Sequence, residues 1–93
     1  MKVIYRYTMV SRHCEFEVPK GGKVLDVQIK SGEDLPSIWI LIETDNMDKK
    51  ETRKFHSYGT GVGIPGDPGK YIGTFQDGSL MHHVFEEKSE KLD

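Results

Sequence analysis

The sequence lacks several features on which secreted, membrane-bound and zinc-binding proteins rely. Cys14 is the single cysteine among 93 residues, which excludes an internal disulfide and a multi-cysteine zinc site and favours a reducing compartment. No apolar run approaches the roughly 20 residues that a membrane span requires, and no hydrophobic leader follows Met1. We therefore expect a protein of the cytoplasm that makes no contact with a membrane.

An excess of positive charge is also missing. The chain has 13 lysine and arginine residues against 15 aspartate and glutamate residues, which gives a formal net charge of −2. Proteins that hold nucleic acid through its phosphates need lysine and arginine clustered on one face. The composition therefore carries no strong nucleic-acid signal.

Helical periodicity is absent as well. Apolar side chains alternate with a period of two, which is typical of half-buried strands. The alternation predicts strands at 2–10, 13–18, 23–30, 37–43 and 51–58, followed by a closing hairpin. We predict an all-β fold, a small antiparallel sandwich or partly open barrel of about six to seven strands. The domain spans residues 1–86, and residues 87–93 form a charged, flexible tail.

Two strands carry specific expectations about burial. In the third strand, the alternation places Leu25, Val27 and Ile29 toward the core. The fourth strand is apolar at every position of 38–42, which predicts a central strand that is packed on both faces or meets another subunit. Since closed symmetric association is common, this pattern favours a homo-oligomer.

The hairpin prediction rests on the dipeptide Asp77-Gly78, which signals a two-residue type I′ turn. Such a turn pairs Gln76 with Ser79. The register then predicts one face bearing Tyr71, Phe75, Leu80, His82 and Val84, and an opposite face bearing Ile72, Thr74, Met81, His83 and Phe85.

Glycine and proline concentrate in the stretch 58–75. The stretch contains G-x-G-x-x-G at 61–66, but Pro68 prevents the helix that a dinucleotide fingerprint requires. It also fails as a Walker loop, because Tyr71 stands where serine or threonine would hold magnesium.

What remains is a backbone nest for an anion, such as a phosphate or a partner's carboxylate. The candidate site consists of Gly59, Thr60, Gly61, Gly63, Lys70 and Arg53. The alternative is a long connection between strands, in which the glycines only satisfy turn geometry.

The four histidines predict neither a metal site nor a catalytic site. His82 and His83 are adjacent, so on a strand they face opposite sides and cannot chelate one ion. His13 and His56 lie on other strands, and a three-histidine site would need a coincidence of tertiary structure. We expect no cofactor, no bound metal and no catalytic residue.

A set of short motifs resembles a family of small proteins encoded by bacteriophages and prophages. The motifs are Val18-Pro-x-Gly-Gly-x-Val-Leu-x-Val-Gln28, Ile38-Trp39, Arg53-x-Phe55, Tyr58-Gly-Thr-Gly61, Tyr71-Ile-Gly-Thr-Phe-Gln76 and His83-Val-Phe-Glu86. The resemblance implies a phage accessory protein made in the bacterial host cell. It supplies no activity and hence no functional residues. The chain departs from the pattern at His82, where an aromatic residue is expected, and in the loop after Gly61.

These observations together favour a non-enzymatic binding protein. We expect it to modulate or block a bacterial host system, such as an anti-phage defence, by binding a host protein or by sequestering a small anionic ligand such as a nucleotide. One alternative is a small structural protein of the virion. The other is an enzyme that uses His82 or His83 for acid–base chemistry.

Overall fold

The computed structural model describes residues 1–88, in which seven strands form two antiparallel sheets. The strands are β1 (Lys2–Thr8), β2 (His13–Pro19), β3 (Lys23–Ile29), β4 (Pro36–Glu43), β5 (Lys50–Gly59), β6 (Lys70–Asp77) and β7 (Leu80–Glu86), and a 3-10 turn covers Thr44–Asn46. The strand orders are β1-β4-β3 and β2-β5-β7-β6. The predicted all-β class is confirmed, and the sheets form a sandwich rather than a closed barrel. Most of the predicted tail lies outside the described residues.

The core lies between the two sheets and takes apolar side chains from six strands and from the β1–β2 connection. Its buried members are Met9, Val18, Val27, Ile38, Ile40, Ile42, Phe55, Phe75 and Val84. The strand β4 contributes three of them because alternate residues of a strand share one face. No helix in the described part of the chain has the length and apolar character needed to cross a membrane.

The central position predicted for β4 is confirmed, since it pairs with β1 on one side and β3 on the other. Its outward face is only half-covered. Trp39 and Leu41 lie on that face, and the guanidinium carbon of Arg6 sits 5.7 Å from the centroid of the Trp39 ring.

The inward position predicted for Leu25 is wrong. The pairing of β3 with β4 shifts between Val24 and Asp26, which leaves Leu25 as the extra residue of a β-bulge. Val24 and Val27 pack on the core instead, whereas Leu25 is 45% exposed. A bulge changes the alternation by one residue, and no proline or glycine in this strand marks its position.

The bulge predicts opposite results for the same replacement at two nearby positions. We expect Leu25→Thr to change the free energy of unfolding by no more than about 0.5 kcal/mol, as is usual at exposed sites. Val27→Thr is the matched control, because Val27 is fully buried and a hydroxyl there loses water without gaining a partner, at a cost of about 1–3 kcal/mol. Urea titration of both variants measures the difference. Equal losses would contradict the bulge.

The hairpin is tight, but its turn differs from the prediction. Asp77 pairs with Leu80 and Gln76 with Met81, so the central residues are Gly78 and Ser79. Gly78 has a φ of +62°, and no residue other than glycine has a positive φ in the described chain. The turn is therefore of type II′, in which only the first central residue needs positive φ.

A second bulge changes which residues of β6 face the core. The pairing of β6 with β7 shifts between Tyr71 and Gly73. Ile72 packs against the core and Tyr71 lies beside Phe85. The prediction instead places Tyr71 on the face of Phe75 and Ile72 on the face of Phe85. Gly73 lets β6 approach β3, because a Cβ atom there would lie 2.9 Å from Cγ1 of Val27. This contact closes one side of the sandwich.

Candidate functional site

The sandwich is open at one end, where a cleft of about 440 Å³ lies between the sheets. The buried side chains of Met9 and Phe75 form its floor. Its walls are mainly apolar and include Ile29, Leu35 and Leu80, of which the last is 61% exposed. Clefts of about 300–1,000 Å³ with mainly apolar walls are typical of small-ligand sites.

Polar side chains of both signs line the same cleft. Arg12 comes from the β1–β2 connection, Asp34 from the β3–β4 connection and Asp77 from the hairpin. Arg12 makes no ion pair with any residue between 1 and 88. The ring of His82, which also lines the cleft, stacks on Phe75 with the centroids 5.1 Å apart. The arrangement suits a ligand with an apolar body and a few polar groups.

The residues of the predicted glycine site lie in two separate regions of the structure. Both β5 and β6 are antiparallel to β7, which lies between them, so the connection 60–69 must return along the length of the sheet. Gly59 pairs with His82 near the start of β7, whereas Lys70 pairs with Glu86 at its end. The structure therefore keeps Gly59, Thr60 and Gly61 away from Lys70.

The loop itself is open to solvent. Gly61 has a φ of +86°, and a Cβ atom added at Gly61 or Gly63 would meet nothing within 4 Å. Both residues and Thr60 are exposed. Whether the loop binds an anion stays a prediction, but Lys70 lies at the other end of the connection from Gly59.

Arg53 is engaged elsewhere. Its Nε lies 2.6 Å from Glu86 Oε2 and its Nη2 lies 2.8 Å from Oε1, so the guanidinium binds the carboxylate through both oxygens. A third nitrogen, Nη1, donates to the carbonyl oxygen of Gly22. The bonds to Glu86 raise the pKa of Arg53 above its usual value, against the opposing effect of burial. With 15% of the side chain exposed, Arg53 is a structural ion-pair partner.

The predicted opposite orientation of His82 and His83 is confirmed. His82 lines the cleft, whereas His83 lies on the face of the four-stranded sheet that is turned away from the core, here called the outer face. His83 Nε2 lies 2.7 Å from Thr60 Oγ1, and its Nδ1 lies 3.0 Å from Thr74 Oγ1. That threonine hydroxyl also contacts the hydroxyl of Tyr71 at 2.6 Å. His83 thus links the start of the loop, through Nε2, to β6, through Nδ1.

The outer face also brings together two histidines that sequence reasoning treated as separate. His13 of β2 pairs with His56 of β5, and their Nδ1 atoms lie 2.7 Å apart. His56 Nε2 lies 2.9 Å from Glu87 Oε2, and this bond lowers the pKa of Glu87. No group of three or more histidine, cysteine, aspartate or glutamate side chains between residues 1 and 88 has a metal-binding arrangement.

Sequence reasoning missed the cleft because its walls come from segments far apart in the chain. The residues that line it lie at 9–12, 29–36, 57 and 75–82. None of these segments contains a ligand-binding motif, and each reads alone as an ordinary strand end, turn or loop. Only the packing of the sheets brings them together.

The fold and its open end define the class: a small, two-sheet antiparallel β domain with a ligand-sized cleft between the sheets. The chain belongs to the family described as Domain of unknown function (DUF7352), which matches residues 1–93. Comparisons with curated proteins and with solved structures gave no significant match. Nothing in the family match indicates a bacteriophage origin, so that expectation stays a prediction.

Proposed function

We propose that this protein is a non-enzymatic binding domain that takes a small ligand into the cleft at the open end of the sandwich. The observation that supports this most strongly is the cleft itself, with a volume of about 440 Å³, an apolar floor and a polar rim. Sites of this kind hold the body of a ligand by apolar contact and orient it with a few polar groups.

The charges around the cleft limit the chemistry of the ligand. Arg12 favours one anionic group, in line with the small anionic ligand expected from the sequence. Asp34 and Asp77 line the same cleft and repel a second and third negative charge, because like charges close together are unfavourable. The preferred ligand therefore carries an apolar body, one anionic group and hydrogen-bond donors for the carboxylates.

In the wider proposal, capture of this ligand modulates or blocks a bacterial host system from within the cytoplasm. A host protein that inserts an apolar side chain into the cleft is the alternative partner. The proposal of a homo-oligomer gains support from the outer side of the three-stranded sheet, where Ile4 is 55% exposed and Trp39 and Leu41 are half-buried.

The first experiment is native mass spectrometry of protein purified from bacterial cells, followed by denaturation and identification of any released molecule. We expect the wild-type protein to carry a small ligand. Leu80→Glu places a carboxylate in the apolar wall, which should weaken binding at least about tenfold, or about 1.4 kcal/mol. Met81→Glu is the matched control, since Met81 is 41% exposed on the opposite face of the same strand, and it should retain the ligand.

Two outcomes would contradict the proposal. Equal ligand occupancy in both glutamate variants would show that the cleft is not the site. An empty wild-type protein that also fails to bind any member of a bacterial metabolite extract would favour a protein partner instead. The same spectrum gives the oligomeric state, and a monomer would contradict the homo-oligomer.

One observation supports an enzymatic alternative. His82 lines the cleft, and Asp77 of the same hairpin lines it as well. If the released ligand is chemically altered on incubation with wild-type protein but not with His82→Gln, the protein is an enzyme. A ligand that remains unchanged in both incubations supports simple binding.

A further inference from the structure

We propose that His13 and His56, called here the histidine pair, bind one divalent first-row transition-metal ion through their Nδ1 atoms, with Cu²⁺ bound most tightly. The pair lies on the outer face of the four-stranded sheet and takes no part in the cleft. This inference is independent of the proposed function.

The backbone holds the two rings in place for this role. His13 and His56 are partners in the antiparallel ladder between β2 and β5, so their Cβ atoms start from neighbouring positions on one face. The centroids of the two rings lie 4.9 Å apart, and the Nδ1 atom of each ring points toward the other ring. Because paired strands hold these two opposed residues in fixed positions, metal binding has to restrict the motion of the side chains only slightly, which favours binding.

The separation of the two nitrogens fits a common ion. Each metal–nitrogen bond to histidine is about 2.0–2.1 Å, so two ligands at right-angled or tetrahedral positions lie about 2.8–3.4 Å apart. The Nδ1 atoms are 2.7 Å apart without metal. The ion fits if the two Nδ1 atoms move apart by a few tenths of an ångström. A small rotation of the exposed His13 ring is sufficient for this movement.

Glu87 provides the supporting contact that ligating histidines usually have. His56 Nε2 donates to Glu87 Oε2 at 2.9 Å, which assigns the proton to Nε2 and leaves Nδ1 with its lone pair. Metal-bound histidines commonly donate their second nitrogen to a carboxylate in this way, and loss of the carboxylate typically weakens metal binding by about 10–100-fold.

The ligand set also selects the ion. Imidazole suits copper, nickel and zinc, whereas Mg²⁺ and Ca²⁺ prefer oxygen ligands. No third side chain in the described part of the chain joins the pair in a metal-binding group, so water completes the coordination. Affinity should therefore follow the order Cu²⁺ > Ni²⁺ > Co²⁺ > Mn²⁺, with Zn²⁺ below Cu²⁺.

The experiment is a calorimetric titration of the full chain with Cu²⁺, Zn²⁺ and Mg²⁺ at neutral pH. We expect saturable binding of one Cu²⁺ per chain, weaker binding of Zn²⁺ and none of Mg²⁺. His13→Gln and His56→Gln should each raise the Kd for Cu²⁺ at least about tenfold, and Glu87→Gln by about 10–100-fold. His82→Gln is the matched control, because it removes a histidine from the opposite face and should leave the Kd unchanged.

Electron paramagnetic resonance of the copper complex gives a second readout. The wild-type spectrum should show hyperfine splitting from two nitrogen ligands. The spectrum of His13→Gln or of His56→Gln should show splitting from one nitrogen ligand. Far-ultraviolet circular dichroism confirms that the variants are folded. An unchanged Kd in both His13→Gln and His56→Gln would place the copper elsewhere, for example on the amino terminus, and would overturn the inference. So would the absence of saturable binding in the wild-type protein.

Discussion

Replacing Glu86 with alanine should lower the free energy of unfolding by about 3–5 kcal/mol, because it leaves the Arg53 guanidinium buried without its partner. The two side chains are 15% and 14% exposed and are joined by two hydrogen bonds. A buried charge that loses its counterion must either be desolvated alone or draw water into the sheet interface. The loss should also reach the β2–β3 turn, where Arg53 donates to Gly22.

Urea unfolding followed by Trp39 fluorescence measures this loss. Glu33→Ala is the matched control, since it also removes a carboxylate from an arginine, but the Arg6–Glu33 pair is about 40% exposed and should contribute no more than about 1 kcal/mol. The double variant Arg53→Met, Glu86→Leu should recover most of the stability, because an apolar pair leaves no buried charge. A Glu86→Ala loss no larger than that of Glu33→Ala would mean that water already reaches the pair.

The pattern of apolar and polar residues along the sequence was sufficient to predict the strands and the central place of β4 in its sheet. Alternation in β2 correctly separates Cys14, Phe16 and Val18 from the charged residues between them. Both errors in assigning side chains to the faces of a strand follow from β-bulges, at Leu25 and at Ile72. A bulge arises where one strand must bend to pack on the other sheet, so its position depends on tertiary contacts and not on local composition.

The candidate sites were harder to predict for the same reason. The contact of Arg53 with Glu86 depends on the pairing of β5 with β7, and that of His13 with His56 on the pairing of β2 with β5. Neither spacing is visible as a motif, because the partners are 33 and 43 residues apart. The glycine loop was visible, yet its composition alone does not separate a binding loop from a connection that has to run the length of a sheet.

The end of that connection is held at one residue, Gly69. Its φ is +99°, and a Cβ atom added there would overlap the carbonyl oxygen of Glu86. Its backbone N–H donates to Asp67 Oδ1 at 2.8 Å, and Asp67 in turn pairs with Lys88. The backbone thus enters β6 in contact with the end of β7, with no room for a side chain.

We expect Gly69→Ala to lower the free energy of unfolding by about 2–5 kcal/mol, as the sum of left-handed strain of about 1–2 kcal/mol and overpacking of about 1–3 kcal/mol. Gly66→Ala separates the two causes, because Gly66 has a φ of +79° but open space around its Cβ position, so only the strain applies. Urea unfolding compares both variants with the wild type. In a double-mutant cycle, Gly69→Ala should lower the free energy of unfolding less in the Glu86→Ala background than in the wild type. The reason is that the clash displaces the backbone of Glu86, whose side chain pairs with Arg53. Equal costs for Gly69→Ala and Gly66→Ala would show that the end of β7 yields freely, and that the connection is not fixed where it enters β6.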